Sequence, residues 1–182
     1  MNILTCIKFT FYSLGILFIT SCSEDNDAYT PLSASTKITG LLVSIESVKN
    51  ESLLSDKDFI GNIYIVGDQS NKPILFTVKK IVDGSDEKDF ISFNAEIPDV
   101  RNFKFKSTFE ADGQSIITLN INKQELKLQC HFRYICTDPE TYGNNSITLE
   151  KIEYNGRSVI RENNLINSDI VLSLDENIFS LR

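Results

Sequence analysis

The chain has one histidine, His131, and four glutamates at positions that read as strand residues: Glu96, Glu110, Glu150 and Glu153. A histidine becomes a general base when a nucleophile and an orienting acid stand beside it, and no Gly-x-Ser-x-Gly stretch supplies the nucleophile here. Two carboxyl groups meeting across a sheet at roughly 5–9 Å are the apparatus of a glycosidase. In a chain with 25 acidic against 18 basic residues, however, acidic strand residues are mostly solvated faces. Asp83, Asp86, Glu87 and Asp89 offer oxygen ligands of the kind Ca2+ takes, but in no EF-hand spacing, and a charged loop tip is the simpler reading. Neither a phosphate-cradling glycine loop nor His-Glu-x-x-His occurs. No catalytic residue, metal or cofactor is therefore assigned, and the expectation is a protein that is not an enzyme. The net charge of -7 argues against a nucleic-acid partner.

The segment with a binding palette is Thr137–Asn145, where Asp138, Glu140, Tyr142, Asn144 and Asn145 mix acid, amide and aromatic side chains in what reads as a long loop. These five are the candidate binding residues. Of the aromatic residues, 12 are Phe, 6 are Tyr and none is Trp. Sugar platforms favour Trp and Tyr, so a protein ligand is expected ahead of a glycan.

The elements that must position these groups are strands. From residue 36 onward the pattern is short alternating runs cut by turn residues. Leu41, Val43 and Ile45 share a face; Ile60–Val66 and Ile74–Val82 read as a hairpin; Phe103, Phe105 and Phe109 point one way against Lys104, Lys106 and Glu110. Asp112-Gly113 and Asn155-Gly156 are the two dipeptides best suited to tight hairpin turns. In the run from Leu126 to Cys136, even-numbered residues face inward and Gln129, His131 and Arg133 outward, so His131 is expected on a solvated surface. Cys130 and Cys136 lie six residues apart on that strand. That is about 20 Å, whereas a disulfide needs Cα atoms roughly 4.4–6.8 Å apart, so two buried thiols are favoured over a bridge. The whole describes an all-β domain, a β-sandwich (immunoglobulin-like) of about eight or nine antiparallel strands. The alternative is a lipocalin-like β-barrel, which the missing Trp disfavours.

The amino terminus carries a different kind of information. Lys8 precedes an apolar run from Phe9 to Thr20, too short to span a bilayer and ended by Ser21 and the polar residues after it. Ile19-Thr20-Ser21-Cys22 resembles the lipobox of bacterial lipoproteins, and Ser23, Glu24, Asp25 and Asp27 resemble the acidic export signal of surface lipoproteins of the Bacteroidota. The resemblance implies a signal peptide over 1–21, lipidation of Cys22, a polar tether over 22–35 and a single domain over 36–182. It further implies attachment to the outer membrane through the lipid, on the cell surface, with the periplasmic face as the alternative. The function expected from the sequence is a lipid-anchored, non-catalytic binding or structural module; a small hydrolase or hydrolase inhibitor is the competing class.

Overall fold

In the computed structural model, residues 29–49, 51–83, 86–138, 143–160, 170–175 and 178–181 are described. Cys22 and the export-signal residues Ser23, Glu24, Asp25 and Asp27 lie outside them, as do Glu140 and Tyr142 of the expected binding loop. No helix among the described residues is long and apolar enough to cross a membrane.

The fold is all-β. Among the described residues thirteen strands form two sheets: β1 (Thr36–Ile38), β2 (Gly40–Ser47), β3 (Ile63–Gly67), β4 (Lys72–Pro73), β5 (Thr77–Asp83), β6 (Asp86–Asn94), β7 (Phe103–Phe105), β8 (Glu110–Ile121), β9 (Gln124–Asp138), β10 (Gly143–Tyr154), β11 (Arg157–Ile160), β12 (Ile170–Asp175) and β13 (Ile178–Leu181). One helix, α1 (Lys57–Gly61), is capped by Asp56, whose side chain accepts from Asp58 N. The large sheet runs β1-β10-β9-β8-β3-β4, with β11 beside β10 and β7 beside β8; the small sheet runs β13-β12-β2-β6-β5. Most pairings are antiparallel, but β1 pairs with β10 and β12 with β2 in parallel. Strands are thus more numerous than the sequence suggests; in one case the run from Thr36 to Ser47 divides at Thr39 and sends its halves into different sheets.

The inward residues of both sheets make one core, with Val43, Ile45 and Ile91 from the small sheet and Ile117, Leu128, Cys130, Phe132 and Leu149 from the large one. Alternation on β8 and β9 is nearly perfect, since one face of each is covered and the other is not. Cys130 and Cys136 remain thiols inside this core, and burial pushes the Cys130 thiol up to about 12. On β2 the expected buried face is present, but Leu42, Ser44 and Glu46 are buried as well.

Four sequence expectations change. Asp112-Gly113 is not a turn: both residues sit inside β8, paired with Lys104 and Phe103. The reversal between β7 and β8 falls at 106–109, where Lys106 N and Ser107 N donate to the Glu110 carbonyl. Ile60 belongs to α1, and Ile74–Val82 is not the partner strand of β3. Only Lys72 and Pro73 pair with β3; Pro73 has no N–H to continue the ladder, and the chain then crosses to the small sheet with Ile74 and Phe76 packed on the core. Phe105 and Phe109 are not core. Phe105 keeps the face of Phe103, but the residue is 54% exposed, with the Tyr134 ring edge-on to it at 6.2 Å. Finally, residues 86–89 belong to β6 and Asp83 to β5, where they pair with each other's strand rather than forming a loop.

Candidate functional site

The outward face of the large sheet was expected to be solvated, and instead it floors a recess of about 920 Å³. Asp112, Gln114 and Ile116 come from β8, Gln129, His131 and Arg133 from β9, and Glu150 and Lys151 from β10. The last pair owe their place to a β-bulge. Leu149 pairs with Phe132 and Lys151 with the next residue, His131, so Glu150 is an extra residue that the ladder does not use. A bulge of this kind re-aims side chains, and both Glu150 and Lys151 line the recess.

One wall is built by segments 67–70 and 96–102. Glu96, expected as a strand residue, lies instead beyond β6, and its carboxylate accepts from Gln69 N and Ser70 N, both at 3.1 Å. Gly67 permits this, since a Cβ there would lie 2.3 Å from the Glu96 carboxylate. Gln69 then ties wall to floor, donating to the Gln114 carbonyl at 3.1 Å and accepting from Asp99 N at 2.6 Å. Asp99 accepts from Thr30 N at 2.8 Å and clasps the Arg101 guanidinium at 2.9 and 3.2 Å. The Arg101 side chain and these backbone donors hold the Asp99 carboxyl well below the usual carboxylate range.

On the floor, Gln129 Nε2 donates to Gln114 Oε1 at 3.1 Å. Gln114 Nε2 in turn lies 3.0 Å from His131 Nδ1, within hydrogen-bond reach. His131 Nε2 lies 3.1 Å from Glu153 Oε2, out of line for a hydrogen bond. Lys151 reaches Glu153 at 2.6 Å, and Lys151 first, then His131, lowers the Glu153 carboxyl. Far from being a solvated surface residue, His131 has a side chain only 19% exposed, because neighbours from β8 and β10 enclose it. Arg133 extends the network with Glu110 at 3.0 Å and Glu150 at 3.7 Å. Lys106 contacts Asp112 at 2.7 Å and Glu110 at 3.4 Å, and these pairings, Asp112 foremost, raise its ammonium.

Of the four glutamates read as strand residues, Glu110 and Glu150 therefore do meet across the sheet, but on either side of an arginine. The described residues of the expected binding loop lie elsewhere. Asp138 pairs with Gly143 at the end of the β9–β10 hairpin, and Thr137 Oγ1 donates to the Asn144 carbonyl at 2.9 Å. The Asn145 side chain accepts from Ser35 N at 2.6 Å, clamping the segment that leads into β1. Of the acidic residues considered for Ca2+, Glu87 pairs with Lys80 at 3.0 Å and Asp89 accepts from Ser52 Oγ at 3.4 Å. Among the described residues no cluster of three or more metal-ligating side chains forms.

Sequence reasoning identified Gln129, His131 and Arg133 as outward but missed Gln69, Arg101, Gln114 and Lys151. Only the alternation of β8 could have pointed to Gln114; the wall residues have no periodic signal. Comparison with known proteins adds no name to this arrangement: no family model, no curated protein and no solved structure matches the chain.

Proposed function

We propose that this chain is a lipid-anchored, non-catalytic binding module whose ligand seats in the recess on the outer face of the large sheet. One observation carries the reading: side chains from four strands and two wall segments are gathered into a polar recess and fixed there by hydrogen bonds and ion pairs. Polar groups held by their neighbours on rigid strands are pre-organised, which lowers the ordering cost of binding. The anchor rests on the Ile19–Cys22 pattern, and the outer surface of the outer membrane on the acidic residues after it.

The hydrolase alternative needs a carboxyl group kept protonated near neutral pH. Beside the recess the shift runs the other way: the Glu153 carboxyl is lowered, by Lys151 first and then by His131. A protein ligand remains favoured, with polar and charged groups at its contact face.

The test is a photo-crosslinking amino acid placed at Gln129 in the full chain in intact cells, with a second variant carrying it at Lys123 in the β8–β9 turn. An adduct at 129 that is absent at 123 and lost on Gln114→Trp is expected. Equal adducts at both positions, or none at 129, overturn the recess as the binding face.

A further inference from the structure

Of the residues expected to form the tether, those from Tyr29 onward lie on the domain, and they meet it first at the wall of the recess. Tyr29 Oη donates to the Ile97 carbonyl at 2.5 Å, Thr30 N to the Asp99 carboxylate at 2.8 Å, and Val100 N to the Thr30 carbonyl at 2.7 Å. Burial first, then Glu96 and Asp99, pushes the Tyr29 hydroxyl up to about 12, so it keeps its proton as a donor at physiological pH. Pro31 bridges to Asp99, Leu32 and Ala34 pack on the core, and Ser35 is held by Asn145. The carboxylate that takes Thr30 N is the one that clasps Arg101, a side chain lining the recess.

This pinning sets a height. A free chain from Cys22 to Thr36 could extend to about 50 Å, whereas the span from Cys22 to Tyr29 reaches at most about 25 Å. A lipid on Cys22 therefore keeps the recess wall within about 25 Å of the bilayer surface, less than the roughly 30 Å width of a small folded domain.

The lining narrows what can meet the recess at that height. Four of its five basic side chains are already paired: Arg101 with Asp99, Lys106 with Asp112, Arg133 with Glu110 and Lys151 with Glu153. The recess thus offers little of the excess positive charge that draws anionic headgroups. Its described lining holds no Tyr or Trp to stack on a sugar. Balanced ion pairs together with the amides of Gln69, Asn102, Gln114 and Gln129 match the polar backbone and side chains of a protein segment.

We infer that the recess receives an exposed polar segment of a protein embedded in the same membrane, and that residues 29–35 hold the recess at the height where such a segment emerges. This rests on the lipid anchor and on the recess as the binding face.

The test uses the photo-crosslinker at Gln129 in the full chain in intact cells, with a spacer inserted after Ala28. One spacer is a run of Glu-Ala-Ala-Ala-Lys repeats about 30 residues long, which as a semi-rigid helix lifts the domain by about 45 Å; the other is a flexible Gly-Ser stretch of equal length. Without a spacer, an adduct is expected to a protein that stays in the membrane pellet at high salt in cells lacking this chain. The helical spacer should abolish that adduct. The flexible one should retain it with a loss of no more than roughly tenfold, since a flexible chain folds back to the surface. Survival of the adduct on the helical spacer, its loss on both, or an adduct to a soluble protein, a lipid or a glycan would each overturn the inference and leave the recess standing as a binding face. No adduct at 129 without a spacer strikes the recess itself, and a chain missing from the membrane fraction strikes the anchor; the inference falls with either.

Discussion

Two places in this molecule carry the same kind of dipeptide and use it in opposite ways. At Asn155-Gly156, between β10 and β11, both residues have positive φ, 48° and 76°, as a type I′ hairpin turn requires. At Asp112-Gly113 the backbone stays extended within β8, and the glycine serves a neighbour: a Cβ on Gly113 would lie 2.7 Å from the Phe103 ring. The first glycine is there for its backbone freedom, the second for its missing side chain. A turn signal in sequence reports that a glycine is needed, and not which of these two needs it answers.

The difference can be broken most forcefully at the ring that claims the second site. Phe103→Ala should destabilise the fold by about 3–5 kcal/mol, since the ring is buried and leaves a cavity over Gly113. Chemical denaturation would read this directly. Gly113→Ala should cost about 1–3 kcal/mol through overpacking, and combining it with Phe103→Leu should cost less than the sum of the two single changes. Gly156→Ala should cost roughly 1–2 kcal/mol from the left-handed backbone alone, because nothing lies within 4 Å of the added carbon. Here Gly156→Asn should be milder than Ala, whereas Gly113→Asn should be worse than Ala; the same ranking at both sites would refute the distinction. The smallest effect belongs to Phe105→Ala. With the residue half exposed and its ring edge-on to Tyr134, a loss under about 1 kcal/mol is expected, and a loss near that of Phe103→Ala would mean that the ring is covered.

The β8–β9 turn shows the converse failure. Asn122 and Lys123 adopt φ of 49° and 69° with no glycine present, so the sequence carries no strong turn signal there. Twelve paired positions between β8 and β9 hold the corner in place, and the ladder offsets the strain at Lys123. The site was legible to a similar degree. Alternation alone placed His131, Gln129 and Arg133 on the outer face. It could not reveal that Gln114, seventeen residues earlier, reaches His131, or that Glu153 does so from β10. Those contacts depend on the register of three strands and on the single extra residue at Glu150.

What the sequence by itself determined is what local pattern encodes: the all-β class, the inward set on β8 and β9, the buried thiols and the turn at Asn155-Gly156. Each follows from the two-residue period of a strand or from the backbone freedom of a residue and its neighbour. What only the tertiary structure decided is which strands share a sheet, where an inward phenylalanine is left uncovered, and how outward polar residues converge into a walled recess. Those depend on register, on bulges and on long-range hydrogen bonds such as Gln69 to Gln114, which join residues distant in the chain and leave no periodic trace in it.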